Sequence, residues 1–212
     1  MTDRPSLPHG ISVGGVIAIA RRPDPARVAA IADGLLAGGV GAFELTLDEP
    51  ESGALAVLEA AARHASGSGL LIGAGTVLSI AAAERAVAAG ASFLVMPHTD
   101  PDLVAWAAVR GIPAIPGAMT PSETLAGWRA GAAAIKLFPA SVVGPRAIRE
   151  LHGPFPSIPF VPSGGITVET AGSFVAAGAV AIGIGSWLTG DGEPAGIAAR
   201  AARIVEAVSA SR

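Results

Sequence analysis

Short apolar runs alternate with longer amphipathic segments along the chain. The runs are continuous rather than alternating, which is typical of parallel strands covered on both faces. We predict eight strands, at Val13–Ala20, Ala42–Leu47, Leu70–Ala74, Phe93–Met96, Pro113–Ile115, Ala134–Phe138, Phe160–Pro162 and Ala181–Gly185. Segments between them carry helical spacing or capping residues, and we predict helices at Pro25–Leu36, Ser79–Ala89, Pro121–Ala130 and Pro194–Val208. Eight strand–helix units predict a small α/β protein, a (β/α)8 or TIM barrel over about residues 13–208. No linker interrupts the pattern, so we expect one domain over residues 1–212.

A spacing repeat indicates which strand residues face the barrel axis. Four predicted helices end at a glycine that is followed directly by an apolar strand: Gly39, Gly90, Gly131 and Gly178. The residues five positions later are Glu44, Val95, Lys136 and Gly183. These belong to the even strands, and alternate strands of such a barrel fill the same interior layer. We therefore expect Glu44 and Lys136 at one level, facing the axis.

Composition excludes several classes of protein. The chain has 212 residues, no Cys and a formal net charge of −3, with 51% hydrophobic and 15% charged residues. These values exclude a disordered chain, a disulfide scaffold and a thiolate zinc site, and the charge argues against nucleic-acid binding. The four histidines show no metal-ligand spacing, so we predict no metal. No long uninterrupted apolar stretch is present, and Met1–Gly10 does not resemble a signal peptide. We therefore expect a cytoplasmic protein without a membrane partner.

The chain contains a single lysine, Lys136, among 14 basic residues. It lies between Ile135 and Leu137 in a predicted strand, where its amine would lose hydration of the charged form. A free amine in such a place can attack a carbonyl. The alternative is a lysine with a buried stem whose amine reaches solvent at the strand end.

Glu44 also lies inside a predicted buried strand, where a carboxylate is costly unless it is paired. As the charge partner of Lys136 it could move protons near a reacting carbon. The alternatives are a purely structural ion pair and an outward-facing side chain at a strand edge.

Glycine-rich turns after three strands are candidate anion sites. Ser163-Gly164-Gly165 follows the seventh strand and Gly183-Ile184-Gly185-Ser186 ends the eighth, where such barrels commonly bind phosphate. Gly73-Ala74-Gly75-Thr76 ends the third strand and offers backbone donors and a hydroxyl for a small carboxylate. Arg21 and Arg22 end the first strand and are candidate anion ligands. Each of these turns could instead be a tight connection between a strand and a helix. The two arginines could instead be a solvated pair on the surface.

Together these strand ends resemble the class I 2-keto-3-deoxy-6-phosphogluconate (KDPG) aldolase family, which also includes 4-hydroxy-2-oxoglutarate (KHG) and phosphogalactonate aldolases. The resemblance runs from about Val13 to the end of the chain. It rests on six ordered motifs: Phe43–Leu47, Gly73–Val77, Ile115–Gly117 with Thr120–Glu123, Ile135–Ala140, Val161–Ile166 and Gly183–Ser186.

The resemblance implies a role for each motif. Lys136 matches the Schiff-base lysine and Glu44 the acid/base carboxylate. The other matches are to the substrate site: Gly75 and Thr76 for the pyruvate carboxylate, Ser163, Gly164, Gly165, Gly185 and Ser186 for the phosphate, and Pro97, Pro116 and Phe138 for the pocket wall. The resemblance also implies a homotrimer that needs no cofactor and no metal.

Two positions depart from the family pattern. Many members have Arg directly after the Thr-Leu of the second strand, where this chain has Asp48. Carboxylate binding would then depend on Gly75, Thr76 and Arg21. Ser163 stands where Thr is common, which keeps the hydroxyl and removes a methyl group.

The function implied is cleavage of KDPG to pyruvate and glyceraldehyde 3-phosphate through an iminium on Lys136, or cleavage of 4-hydroxy-2-oxoglutarate to pyruvate and glyoxylate. One alternative is a phosphate-binding isomerase or synthase on the same barrel, which would not need a mid-strand lysine. Another is a non-catalytic assembly subunit derived from an aldolase, to which Asp48 lends slight support.

Overall fold

Nine short parallel strands and the helices between them make up the computed structural model, which describes residues 4–48, 51–190 and 193–212. The strands are β1 (Val16–Ala20), β2 (Ala42–Thr46), β3 (Leu71–Gly75), β4 (Phe93–Val95), β5 (Ala114–Ile115), β6 (Gly117–Ala118), β7 (Ile135–Leu137), β8 (Phe160–Pro162) and β9 (Ile182–Ile184). The helices are α1 (His9–Ser12), α2 (Val28–Ala37), α3 (Glu51–His64), α4 (Ile80–Ala88), α5 (Pro101–Ala108), α6 (Pro121–Ala130), α7 (Ala140–His152), α8 (Val168–Ala176), α9 (Ser186–Thr189) and α10 (Pro194–Ser209). A 3-10 helix, Pro25–Arg27, precedes α2. Residues 1–3, which belong to the Met1–Gly10 segment named above, lie outside the described residues.

The strands close into a (β/α)8 barrel, which confirms the predicted fold class. One run of paired strands has the order β5-β4-β3-β2-β1-β9 and the other the order β6-β7-β8. A parallel bridge between Ser163 and Gly183 joins β8 to β9, and only Pro116 separates β5 from β6. The ring therefore contains eight barrel strands, each at the position that the apolar runs predicted.

The fifth and first strands differ in detail from the prediction. The fifth is split by Pro116, which has no N–H to donate to the ladder and so interrupts it. The first begins at Val16 rather than Val13, because α1 and a turn with Gly15 at a φ of 72° precede it. Glycine tolerates that left-handed backbone without steric cost.

The predicted helix ends carry the expected glycine signal. The four glycines named above have φ angles of 85°, 101°, 107° and 105°, the left-handed conformation of a residue just past a helix end. The segment Thr120–Glu123, one of the family-like motifs, is a capping box that begins α6. No helix in the described chain is both long and apolar enough to cross a membrane.

Buried apolar residues form two clusters that separate the two faces of the strands. Phe43, Leu94 and Ile135 belong to the cluster between the strands and the helices. Their neighbours along the chain belong to the cluster inside the barrel, which contains Ile11, Ile17, Ala42, Phe93, Val95, Ile115, Ala134, Val161 and Ala181. Because side chains alternate along a strand, this assigns Glu44 and Lys136 to the interior face, as the spacing repeat predicts. Ile11 of α1 closes the lower end of this interior cluster.

Candidate active site

A cavity of about 610 Å³ opens where the carboxyl ends of the strands meet. Parallel strands end at one rim, and loops at this rim carry the active sites of such barrels. The predicted site residues that line the cavity are Arg21, Glu44, Lys136, Phe138, Ser163, Gly164, Gly165, Gly185 and Ser186. The structure therefore brings together most of the predicted set in one chamber.

Lys136 is the central residue of β7 and reaches the cavity from inside the barrel. Its backbone N–H donates to the carbonyl oxygen of Pro116 at 2.9 Å, which fixes the register of β7 against the fifth strand. The residue is 8% exposed, and its Nζ lies 5.0 Å from the centre of the Phe138 ring. The amine therefore faces the cavity, beside an aromatic ring.

Glu44 is the central residue of β2 and is 2% exposed. It is paired in register with Ile19 of β1 and Gly73 of β3, neither of which competes for the carboxylate. Burial raises the pKa of the Glu44 carboxyl, while the positive charges of Lys136 and Arg21 pull the pKa back in part. A carboxyl of this kind takes up and releases protons closer to neutral pH than an exposed one.

Glu44 and Lys136 share the cavity without touching. Among the described residues, no ion pair of 4.0 Å or less joins Lys136 Nζ to the Glu44 carboxylate. The charge of Lys136 nevertheless lowers the pKa of Glu44, so the predicted charge partners act on each other across the cavity rather than by contact. The two groups approach from opposite strands of the ring, and the cavity leaves room for a ligand between them.

The turns after β8 and β9 form a second part of the cavity wall. Gly164 and Gly165 have φ angles of 92° and 77°, and no described backbone or side-chain acceptor takes their N–H groups. Ser163 is buried with its side chain beside Gly183, where an added Cβ would lie 2.7 Å from the serine Oγ. Free backbone donors beside a hydroxyl are suited to an anion such as phosphate.

Gly75 and Thr76 lie at the end of β3, behind Glu44 as seen from the cavity. A Cβ added at Gly75 would overlap Oε1 of Glu44, so only glycine leaves room for that carboxylate. Thr76 is half-buried with a φ of 58°, a left-handed conformation that is uncommon for a residue with a side chain. Neither residue is among the described ones that line the cavity itself.

The three residues expected in the pocket wall occupy different places. Phe138 lines the cavity beside Lys136. Pro116 is buried at the break in the fifth strand, and its ring faces Gly127 of α6, outside the barrel. The backbone of Pro97 packs against Gly117, where an added Cβ would overlap the Pro97 carbonyl group.

Arg21 reaches the cavity rim and has an acidic partner that the sequence did not reveal. Its Nη1 donates to Oδ1 of Asp48 at 3.1 Å. Arg22 also lines the cavity, is exposed, and has a φ of 49°. Arg21 and Arg22 therefore both stand at the mouth of the chamber, as candidate anion ligands should.

Several other residues of the cavity wall were not singled out from the sequence. The ones with polar or aromatic side chains are Asp24, Arg27, Trp187 and Thr189. Asp24 caps the 3-10 helix by accepting from the Ala26 N–H at 2.9 Å, and this capping pattern directly after a strand was a signal that the segment borders the site. Thr189 donates to the Ile19 carbonyl oxygen at 2.8 Å and had no comparable signal.

No group of three His, Asp or Glu side chains within residues 4–48, 51–190 and 193–212 is arranged to hold a metal ion. The chemistry that this chamber offers is that of an enclosed amine, a buried carboxyl and an anion cradle.

Comparison with known proteins points to one family. The family model described as KDPG and KHG aldolase matches residues 10–197. A 2-dehydro-3-deoxy-phosphogluconate aldolase of Pseudomonas aeruginosa is 38% identical over 177 residues, which cover 82% of this chain and 76% of the relative. A probable 2-dehydro-3-deoxy-6-phosphogalactonate aldolase of Rhizobium meliloti is 35% identical over 182 residues, which cover 85% of this chain and 84% of the relative.

Among solved structures, the chain is similar to a KDPG aldolase from Legionella pneumophila, solved with pyruvate captured at low pH as a covalent carbinolamine intermediate. That protein is 29% identical with a TM-score of 0.77, and the match covers 96% of this chain and 98% of the other.

Proposed function

Because the chain belongs to the KDPG and KHG aldolase family, we propose that it is a Schiff-base aldolase that cleaves KDPG into pyruvate and glyceraldehyde 3-phosphate. The observation that carries this proposal is the position of the only lysine. Lys136 lies almost fully buried in the same chamber as the buried carboxyl of Glu44. An enclosed amine with a nearby proton acceptor is what covalent catalysis at a ketone requires.

In the proposed reaction the Lys136 amine attacks the C2 ketone of the substrate to form a carbinolamine. Loss of water then gives an iminium, whose positive charge can accept the electron pair of the C3–C4 bond. Glu44 takes the proton of the C4 hydroxyl, the C3–C4 bond breaks, and the aldehyde leaves. The resulting enamine is protonated at C3, and water hydrolyses the pyruvate iminium to release pyruvate and free Lys136. The carbinolamine that the Legionella enzyme holds with pyruvate supports this route.

The two ends of the substrate would be held by different parts of the chamber. For the phosphate we propose the turns after β8 and β9, with Ser163, Gly164, Gly165, Gly185 and Ser186. For the carboxylate we propose Gly75 and Thr76 at the end of β3, with Arg21 at the rim. Phe138 would then border the bound substrate, whereas Pro97 and Pro116 lie outside the cavity wall. Free N–H groups at Gly164 and Gly165 are the feature that favours a phosphorylated substrate.

The stereochemistry at C4 and the length of the substrate are further parts of the proposal. One relative is named as a phosphogalactonate aldolase, so the C4 epimer of KDPG is a second candidate substrate. The non-phosphorylated 4-hydroxy-2-oxoglutarate is a third. We also propose a homotrimer in the cytoplasm that works without a cofactor, and this part rests on the family resemblance alone.

A pyruvate-release assay with the three candidate substrates tests the function. We expect turnover of KDPG or its C4 epimer, with a lower kcat/KM for 4-hydroxy-2-oxoglutarate because it leaves the phosphate cradle empty. Glu44→Gln should lower kcat by about 10²- to 10⁴-fold because it removes the proton acceptor. Glu150→Gln, which changes an exposed carboxylate of α7, should leave kcat unchanged. Absence of pyruvate release from all three substrates would contradict the proposal.

A further inference from the structure

Asp48 is the central member of a short polar chain, with Thr46 on one side and Arg21 on the other. Thr46 is buried at the end of β2, and its Oγ1 lies 2.6 Å from Oδ2 of Asp48 and 3.3 Å from the carbonyl oxygen of Ala20. A hydroxyl donates one hydrogen, and the carboxylate is the closer acceptor. Oδ1 of Asp48 accepts from Nη1 of Arg21 at 3.1 Å. The Asp48 side chain is 10% exposed and that of Arg21 is 65% exposed. Asp48 is therefore fixed by its surroundings, whereas the position of the Arg21 guanidinium depends on its contact with Asp48.

The two ends of this chain face different spaces. Arg21 lines the central cavity. Thr46 and Asp48 line a separate apolar pocket of about 250 Å³ together with Leu45 and Val57, and they are not among the described residues that line the central cavity. Asp48 therefore contacts the guanidinium from the side that is turned away from the chamber.

The contact also leaves most of the guanidinium free. Arginine carries five N–H donors, and within the described residues only Nη1 of Arg21 has an acceptor. A ligand carboxylate could still bind two of the remaining donors side by side, which is the preferred geometry for that pair. Asp48 therefore orients Arg21 without occupying it.

We propose that Asp48 is a positioning residue: anchored by Thr46, it holds the Arg21 guanidinium at the mouth of the chamber, where Arg21 binds the carboxylate of the 2-keto acid. This inference rests on the proposed function and names how its carboxylate subsite is built. The carboxylate subsite is then built from the ends of two neighbouring strands, with Arg21 after β1 and Asp48 after β2.

The position of Arg21 also affects Glu44, which gives the proposal a second readout. The charged groups that act on Glu44 are Lys136 from β7 and Arg21 from the end of β1, while the adjacent strands place only Ile19, Gly73 and Gly75 beside it. Both cations lower the pKa of Glu44. If Arg21 loses its contact with Asp48 and moves away, it should lower the pKa of Glu44 less. The acid limb of kcat/KM, where Glu44 must lose its proton, would then move to higher pH.

Steady-state kinetics of pyruvate release from the substrate that the wild type cleaves best test the proposal. We expect Asp48→Ala to raise KM about tenfold with kcat within about twofold, and to move the acid limb to higher pH. Asp48→Asn, which keeps an acceptor for Arg21, should recover part of the loss. Thr46→Val should also raise KM, but by less than Asp48→Ala does. In an Arg21→Ala background, Asp48→Ala should have no further effect on KM, because residues that act through one contact are not additive.

The matched control is Glu150→Ala, which breaks an exposed arginine–carboxylate pair far from the chamber and should leave KM and the pH profile unchanged. A lower KM in Asp48→Ala would mean that Asp48 masks Arg21, and additive effects of Asp48→Ala and Arg21→Ala would mean that it acts independently; either result would overturn the proposal. If Asp48→Ala does not fold, Asp48→Asn and Thr46→Val provide the same comparison. A wild type that releases no pyruvate would refute the proposed function, whereas an active wild type with additive variants would refute the positioning role alone.

Discussion

The lower and upper halves of the barrel interior use the same strands for opposite purposes. In the lower half, Ile17, Phe93 and Val161 are buried among other apolar side chains. In the upper half, the same strand faces present Glu44, Lys136 and Ser163 around a cavity. Burial of apolar surface stabilises the fold, whereas burial of an ionisable group costs stability unless the group is paired. Stability and chemistry are therefore separated along the barrel axis, so substitutions in the two halves should have separable effects.

The largest expected effect is that of Lys136→Arg in the upper half. Arginine keeps the positive charge but cannot form the proposed iminium, so kcat should fall by about 10⁴-fold or more. The melting temperature should change little, since no apolar packing of the lower half is removed. Pyruvate release and thermal melting, measured side by side, check both statements. An active Lys136→Arg variant would instead favour an isomerase or synthase on the same barrel.

Phe93→Ala in the lower half should show the reverse pattern. Phe93 is fully buried, and its ring fills the space left free because Gly73 has no side chain. Truncation should cost about 3–5 kcal/mol of unfolding free energy. For a chain of this size that lowers the melting temperature by about 10 °C. Val142→Ala on the surface of α7 should stay within about 0.5 kcal/mol of the wild type. Equal melting temperatures for both variants would contradict the division of roles.

Gly75→Ala tests whether the position of the Glu44 carboxylate in the upper half depends on the lack of a side chain at Gly75. The new methyl group would overlap Oε1 of Glu44 and push the carboxylate toward the cavity. Displacement of a catalytic group by about 1 Å costs on the order of 10²-fold in kcat. The control is Gly53→Ala at an exposed position of α3, where no atom lies within 4 Å of an added Cβ. That change should leave kcat unaltered and stabilise the helix by about 0.5–1 kcal/mol. Equal kcat values for the two variants would show that Glu44 is not confined by β3.

The smallest expected effect is a pH-dependent gain in stability from Glu44→Gln. Burial raises the pKa of Glu44 in the folded state. A group with a raised folded-state pKa favours the folded state most when it is protonated, and it loses that contribution as pH rises through the folded-state pKa. Glutamine stays neutral throughout, so the variant should melt at a higher temperature than the wild type above that pKa, with the difference disappearing in acid. Thermal melting across the pH range measures this directly. A variant that is less stable than the wild type at neutral pH would contradict the assignment of Glu44 as a buried acid whose charged form destabilises the fold.

The sequence predicts the interior of the barrel well because its signals are local. A glycine after four of the helices fixes where the next strand begins, and alternation along that strand then determines which residues face inward. This sufficed to put Glu44 and Lys136 on the interior face. It could not give the separation between them, since that distance depends on the diameter of the closed ring and on side-chain conformations.

Features that depend on contacts between distant segments were not predictable in the same way. The Arg21–Asp48 pair joins residues 27 positions apart through the ends of two neighbouring strands. The break in the fifth strand is different, because it has a local cause: Pro116 has no N–H group for the ladder, and a proline can be read directly from the sequence. The inclusion of Trp187 and Thr189 in the cavity wall depends on how the turn after β9 folds back over the rim.

The most direct test of the central claim uses the chain's one lysine. The wild type is incubated with pyruvate and reduced with borohydride, and its mass is then measured intact and after proteolysis. The only primary amines in the chain are Lys136 and the amino terminus, so the site of any adduct is unambiguous. We expect a single reduced pyruvate on Lys136, formed only when pyruvate is present. An unmodified Lys136, or an adduct on the amino terminus alone, would contradict it.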